Sequence, residues 1–237
     1  MTTLLAEPRD TSATGFAGLR CGSCGADAPL GPNFICTRCF GPLRAVYDYA
    51  LVRDRLTRQI VANRPRDLWR YAELLPLETV PRDGLAVGFS PLVPAPRLAR
   101  RLGVRRLWIK DDSRNPTLSF KDRVVAVAAQ RARNFGFTTL ACASTGNLSA
   151  AVAATAAALG LRAVVFVPAD LEAAKVAQAA TLGATVVRVD GPYDAVNRLC
   201  LELTDELDGW AVVNVNLRPF YVEGSKTIAF EIAEQLG

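Results

Sequence analysis

Three groups of residues in this chain could do chemistry. The first is a lysine. Of 28 basic residues only four are lysines, Lys110, Lys121, Lys175 and Lys226, and arginine serves everywhere else. A lysine can lose its proton and attack a carbonyl to form a Schiff base, which arginine cannot do. Lys121 stands within Asn115-Pro116-Thr117-Leu118-Ser119-Phe120-Lys121-Asp122-Arg123. This is a predicted loop-to-helix junction, a place where reactive groups are commonly held on a rigid scaffold. The second group is Ser144-Thr145-Gly146-Asn147. Small hydroxyl residues and a glycine at a predicted helix start offer backbone N–H donors to an anion, with the helix dipole assisting. A carboxylate or phosphate would fit there, and Asn147 adds a side chain that both donates and accepts.

The third group is four cysteines. Cys21-Gly22-Ser23-Cys24 and Cys36-Thr37-Arg38-Cys39 form two CxxC knuckles separated by 11 residues. Such spacing lets both thiolates of each knuckle turn toward one ion, and four thiolates make the closed tetrahedral shell of a structural zinc site. The competing readings are two disulfides or free thiols. The start of the chain, Met1–Glu7, lacks a basic region followed by an apolar one, so no export signal is expected there and disulfides are disfavoured. A cytoplasmic location follows as the expectation. A module over residues 18–45 is too short for a large core, so its metal would supply much of its folding energy. Cys142 and Cys200 lie in apolar segments and read as small buried hydrophobes.

Composition removes several function classes. The chain has no histidine, which excludes Ser-His-Asp and Cys-His mechanisms and histidine metal ligands within it. Half the residues are hydrophobic and 22% are charged, as in a globular protein with a sizeable core. No uncharged apolar run is long enough to span a membrane, so no membrane partner is expected. The net charge of +5 comes largely from residues 51–70, where six arginines face two aspartates. Without interleaved aromatics this reads as a solvated helix and linker rather than a nucleic-acid surface.

These groups need elements to hold them. A helix is predicted near 50–62, followed by turns around Pro65, Pro76, Pro81 and Pro91. From residue 106 strands and helices alternate. Strands are predicted at 106–110, 138–143, 163–167, 185–189 and 211–215. Helices are predicted at 119–135, 148–159, 171–182, 193–207 and 224–236. Short, continuously apolar strands between helices indicate an α/β fold, with a parallel sheet covered on both faces. Gly136, Gly160 and Gly183 stand where left-handed helix C-caps are needed. Ligands of such folds sit at the C-terminal strand ends. The loops 115–121 and 143–147 are therefore expected side by side at consecutive strand ends.

Here the residues carry a resemblance. The run Asn115–Arg123 resembles the cofactor-lysine motif of threonine synthase, a fold-type II pyridoxal-phosphate enzyme of the tryptophan synthase beta-like superfamily. Gly88-Phe89-Ser90-Pro91-Leu92 is similar to that family's G-x-T-P-L segment, with serine in place of threonine. Ser144–Asn147 is similar to its substrate and cofactor-ring loop, and Glu223-Gly224-Ser225-Lys226-Thr227 to its E-G-x-K-T helix start. The resemblance runs in order from about residue 18 to 237, and a zinc ribbon ahead of the catalytic domain also occurs in the family.

The resemblance implies a zinc ribbon over 18–45 and a catalytic region over 46–237, with a smaller α/β subdomain about 125–215. It implies Lys121 as the Schiff-base and proton-shuttling lysine. Asn147 would bond the cofactor 3-hydroxyl, and Ser144, Thr145 and Gly146 the substrate carboxylate. Asn216 and Lys226 are candidates for the leaving phosphate. Turn-residue and solvated-lysine readings compete for these last two. The implied reaction belongs to threonine biosynthesis: O-phosphohomoserine and water give threonine and phosphate, with pyridoxal phosphate and a structural zinc. The implied partner is a small amino-acid phosphate substrate, and the implied assembly, when full length, a homodimer. Family members continue beyond the equivalent of Gly237 into a glycine-rich loop for the cofactor phosphate. A fragment with weak or no turnover of its own is therefore the expectation. Two other readings stay open: another fold-type II enzyme, such as a threonine or serine ammonia-lyase or a cysteate synthase, and a non-catalytic zinc-ribbon binding protein.

Overall fold

A computed structural model describes residues 14–237, so the expectation for Met1–Glu7 lies outside the described residues. The chain opens with a small antiparallel sheet of β1 (Phe16–Cys21), β2 (Asp27–Ala28) and β3 (Leu43–Tyr47), in the order β2-β1-β3. Cys21 pairs with Leu43, so the knuckles lie at one end of this sheet. The helix expected over 50–62 is two helices, α1 (Tyr49–Arg55) and α2 (Arg58–Ala62). Leu56 is non-helical, and the hydroxyl of Thr57 accepts a hydrogen bond from the Ile60 amide, starting a second helix. A serine or threonine that caps the next turn stops the previous one.

Two arginines of the basic 51–70 stretch are consumed internally. Arg64 pairs with Glu73, and the buried Arg70 pairs with Glu234 at 2.8 Å.

The strand expected at 106–110 shortens to β5 (Trp108–Lys110) and pairs antiparallel with β4 (Leu92–Pro94), flanking α3 (Pro96–Arg101). It stands outside the parallel sheet. Ile109 remains half exposed, as a strand covered on one face leaves alternate residues in solvent.

The main sheet is parallel, in the order β8-β7-β6-β9. It contains β6 (Thr139–Ala143), β7 (Arg162–Pro168), β8 (Thr185–Val189) and β9 (Trp210–Val212). Helices α4 (Lys121–Asn134), α5 (Asn147–Leu159), α6 (Ala173–Thr181) and α7 (Tyr193–Glu206) alternate with these strands. Side chains two apart share a face. Leu140, Cys142, Val165 and Val167 join the core under α4, α5 and α6, while Ala141, Ala143, Val164 and Phe166 join the one under α7, with Val196 and Cys200. The nearly all-alanine α5 packs closely between α4 and α6. Gly160 closes α5 at φ 68°, which its lack of a side chain permits.

The chain runs β6, β7, β8 in one direction, then returns along the opposite face through α7 and adds β9 on the far side of β6. The junction of β6 and β9 is thus the point where strand order reverses, and the crevice at the strands' C-terminal ends opens there. The expected strand 211–215 ends at Val212, because the Val215 amide turns back to the Val212 carbonyl. The chain then enters α8 (Arg218–Tyr221), a 3-10 turn at Val222–Lys226, and α9 (Thr227–Leu236). The helix expected over 224–236 therefore begins three residues late. Among the described residues no helix is long and apolar enough to cross a membrane.

Candidate active site

Lys121 is the first residue of α4. The loop before it is drawn tight by its own side chains. Asp122 accepts hydrogen bonds from both the amide (2.8 Å) and the hydroxyl (2.7 Å) of Thr117. The Ser119 hydroxyl accepts from the Lys121 amide at 3.0 Å. Asn115 accepts from the Gly88 amide at 3.0 Å, which binds the Gly88–Leu92 segment to the same loop. Leu118 adopts φ 59°, an unfavourable conformation for a residue with a Cβ, and its side chain is 70% exposed. Burial raises the Asp122 pKa, against the Thr117 hydrogen bonds that lower it.

The half-buried Lys121 ammonium has no carboxylate or hydrogen-bond partner among the described residues. It lies 5.9 Å from the centre of the Tyr221 ring. Tyr221 belongs to α8, just beyond the end of β9, so the strand-order junction and Lys121 face each other. Burial pushes the Tyr221 phenol up to about 12, with Cys142 and Tyr193 adding to the rise.

The loop Ser144–Asn147 leaves the C-terminal end of β6. Its buried Ser144 hydroxyl accepts from the Gly146 amide at 3.2 Å, and Ser149 donates to the Gly146 carbonyl at 2.6 Å. Thr145 is half-buried, while Gly146 and Asn147 face solvent. No side chain caps α5; the Ser149 amide donates to the Gly146 carbonyl at 2.9 Å, while those of Asn147 and Leu148 have no side-chain acceptor among the described residues. Tyr193 donates to the Ala143 carbonyl at 3.1 Å, fixing this strand end from the other face. The two loops do not follow consecutive strands of one sheet, as expected, because β5 lies outside it. The helices that follow the two loops, α4 and α5, pack against each other.

The remaining two candidates have partners of their own. The Asn216 amide nitrogen donates to the Trp210 carbonyl at 3.2 Å, and its buried oxygen has no partner. Lys226 is ion-paired with Glu223, and its ammonium lies 4.2 Å over the Tyr47 ring.

The sulfurs of Cys21, Cys24, Cys36 and Cys39 all lie within 4.8 Å of one another, with Cys21 and Cys39 at 3.5 Å and Cys24 and Cys36 at 3.8 Å. These separations are far longer than a disulfide bond of about 2.05 Å. They match the edge of a tetrahedron with zinc–sulfur bonds of about 2.3 Å, which is about 3.8 Å. The amides of Ser23 and Cys24 donate to the Cys21 sulfur at 3.4 Å, and that of Arg38 to the Cys36 sulfur at 3.4 Å. The Cys24 amide leads in bringing the Cys21 thiol down to about 6. The donor set fits a thiolate-bound metal.

Residues 84–237 match the family described as pyridoxal-phosphate dependent enzyme. The chain belongs to that family. It is 38% identical over 220 residues to a threonine synthase of Methanosarcina acetivorans, covering 92% of this chain and 53% of that protein. It is 36% identical over 219 residues to a threonine synthase of Methanocaldococcus jannaschii, covering 92% and 54%. The chain thus spans about half the length of the curated relatives it matches. Among solved structures it is similar to diaminopropionate ammonia lyase from Escherichia coli, with TM-score 0.54, 27% identity, and coverage of 62% of this chain and 43% of that one.

For a pyridoxal-phosphate dependent enzyme, the sequence reading missed two tyrosines and an ion network. Tyr221 and Tyr193 lie in no recognisable motif, and only the fold carries them to Lys121 and Ala143. Arg123 was visible in the lysine run, but its partners were not. Its buried guanidinium holds Asp112, Ser90 and Glu231, and Glu231 also takes Lys110 and the Phe89 amide. These partners come from the loop before the lysine, the Gly88–Leu92 segment and α9, and all brace the first turn of α4.

Proposed function

We propose that this chain supplies the lysine-bearing part of a threonine synthase-like lyase, converting O-phosphohomoserine and water to threonine and phosphate with pyridoxal phosphate as cofactor. The observation that carries it is the unpaired Lys121 ammonium at the start of α4, 5.9 Å from the Tyr221 ring, on a helix that packs against α5. The 38% identity to a threonine synthase over 92% of this chain supports the substrate choice.

In this reading Lys121 would hold the cofactor at its aldehyde, and the same amine would move the protons at the substrate Cα and Cβ. The cofactor, when bound, supplies an electron sink that makes those protons removable. Ser144, Thr145 and Gly146, with the α5 N-terminus behind them, hold the substrate carboxylate. Asn147 bonds the ring hydroxyl. Of the two candidates for the leaving phosphate, Lys226 is held by Glu223 and Tyr47, and Asn216, whose amide is only partly engaged, is kept. The four cysteines hold zinc in a closed shell with no open position, so the metal is structural and residues 18–45 form its module. The reading carries with it a homodimer of the full-length protein, in the cytoplasm, checked by light scattering and by cell fractionation.

The test is chemical. Pyridoxal phosphate added to the chain should give the absorbance of a lysine-bound cofactor. Borohydride reduction and peptide mass mapping should then place the pyridoxyl group on Lys121, and Lys121→Ala should show neither. Label on another lysine, or none, would sink the assignment. The second reading, an ammonia-lyase, is favoured by the similarity to diaminopropionate ammonia lyase. A product assay on the full-length protein decides: phosphate release from O-phosphohomoserine against ammonia release from threonine.

A further inference from the structure

Lys121 can serve only where α4 places it, and α4 is backed by the 3-10 turn Val222–Lys226. The contact is close: a Cβ on Gly224 would fall 2.3 Å from the Arg123 carbonyl oxygen and 2.7 Å from the Val124 Cα. The sheet that carries the cysteine knuckles reaches that turn through the outer ends of β1 and β3, just beyond residues 18–45. Tyr47, on β3, donates its hydroxyl to Glu223, Glu223 pairs with Lys226, and the Lys226 ammonium lies over the Tyr47 ring. The three groups close a ring in which each holds the other two. Burial and the Glu223 carboxylate raise the Tyr47 pKa far above the ordinary phenol value, so its hydroxyl remains a donor.

A second seam reinforces the first. Phe16 of β1 meets Phe220 edge-on, with ring centres 6.3 Å apart. Arg131 of α4 is fully buried, and its guanidinium lies 4.9 Å over Phe220 and 5.7 Å over Phe16. Cation–aromatic contacts of this kind are strongest where water is excluded.

We propose that Tyr47, Glu223 and Lys226 form a clamp that couples the cysteine module to the Lys121 site, with Lys226 a positioning residue and not an anion ligand. The proposal rests on Lys121 as the cofactor lysine. It joins two parts of the chain, 176 residues apart at Tyr47 and Glu223, that share no reacting group. The order of the module is thereby transmitted to the first turn of α4.

The experiment uses the intact chain and three variants, Tyr47→Phe, Glu223→Gln and Lys226→Gln. Pyridoxal phosphate is titrated into each and its capture read from the absorbance of the lysine-bound form. Each variant is expected to bind about tenfold more weakly, the size of one hydrogen bond to a charged group. The Tyr47→Phe/Lys226→Gln double variant should be no worse than the weaker single, because both open the same clamp. Loss in Lys226→Gln with wild-type capture in Tyr47→Phe would make Lys226 a direct ligand and overturn the proposal. Amide exchange at residues 224–227, read without cofactor, should quicken in Tyr47→Phe. Unchanged exchange there overturns the clamp, whereas a wild-type chain that captures no cofactor overturns the Lys121 assignment on which the coupling rests.

Discussion

Arg123 and Glu231 are joined inside the protein by two charged hydrogen bonds, at 2.5 and 2.9 Å, and neither side chain is exposed to solvent. The pair ties the second turn-position after Lys121 to the C-terminal helix. Removing one partner leaves the other buried charge with only part of its compensation, Asp112 for Arg123 or Lys110 for Glu231, which costs about 3 kcal/mol, the low end for a broken buried pair. Glu231→Gln and Arg123→Met are each expected to lose stability of that order. A fall in the urea midpoint with an unchanged slope is the measurement.

The same pair sets a pH dependence. Burial alone would raise the Glu231 pKa, but hydrogen bonds from Arg123 and Lys110 outweigh it and hold it below the ordinary value. Asp112 follows the same pattern through Arg123 and Ser90. A carboxylate lowered on folding contributes fully above its unfolded pKa, about 4. That contribution is lost as pH falls through the folded value. Unfolding free energy should therefore hold steady above about pH 5 and decline below about pH 4. In Glu231→Gln the decline should be shallower.

The cysteine cluster has a stoichiometric test. Native mass spectrometry is expected to find one zinc ion on the wild-type chain, held by its four thiolates. Cys24→Ser should lose it, and chelation should make residues 18–45 susceptible to protease. A disulfide-bonded mass, two hydrogen atoms lighter per bridge, is the contrary result.

Gly224 should tolerate no side chain. A methyl group would meet backbone atoms of Arg123 and Val124, which cannot swing aside. Gly224→Ala is expected to cost about 3 kcal/mol by forcing the 3-10 turn off α4. Thermal unfolding followed by circular dichroism reads this directly.

Leu118 gives an opposite expectation. Its φ of 59° strains the loop just before Lys121, and its exposed side chain buries little. Leu118→Gly should relieve that strain and raise stability by up to about 1 kcal/mol. An unchanged or lower midpoint would show that the side chain has a contact worth more than the strain.

Much of this was legible in the residue order. The apolar runs at 139–143, 162–168 and 185–189 announced covered parallel strands because no other environment suits them. The lysine run, the small hydroxyl loop and the paired knuckles were readable because each is a local cluster of residue types suited to one chemistry. The failures were also physical. Thr57 split one helix into two by capping the second. The strand ending at Lys110 left the parallel sheet because Leu92–Pro94 pairs with it, a choice between distant partners that local sequence does not record.

The chain's own sequence determined the chemical vocabulary: a rare lysine at a helix start, an open amide loop, four thiols at metal spacing and no histidine. Local spacing suffices for these, since each is made by neighbours along the chain. Only the tertiary structure decided which groups meet. It brought Tyr221 to Lys121, sealed Arg123 against Asp112 and Glu231, and turned Lys226 from a free cation into the partner of Glu223 and Tyr47. The reason is that burial and ion pairing depend on contacts across tens to hundreds of residues, which exist only once the sheet has closed and the helices have docked.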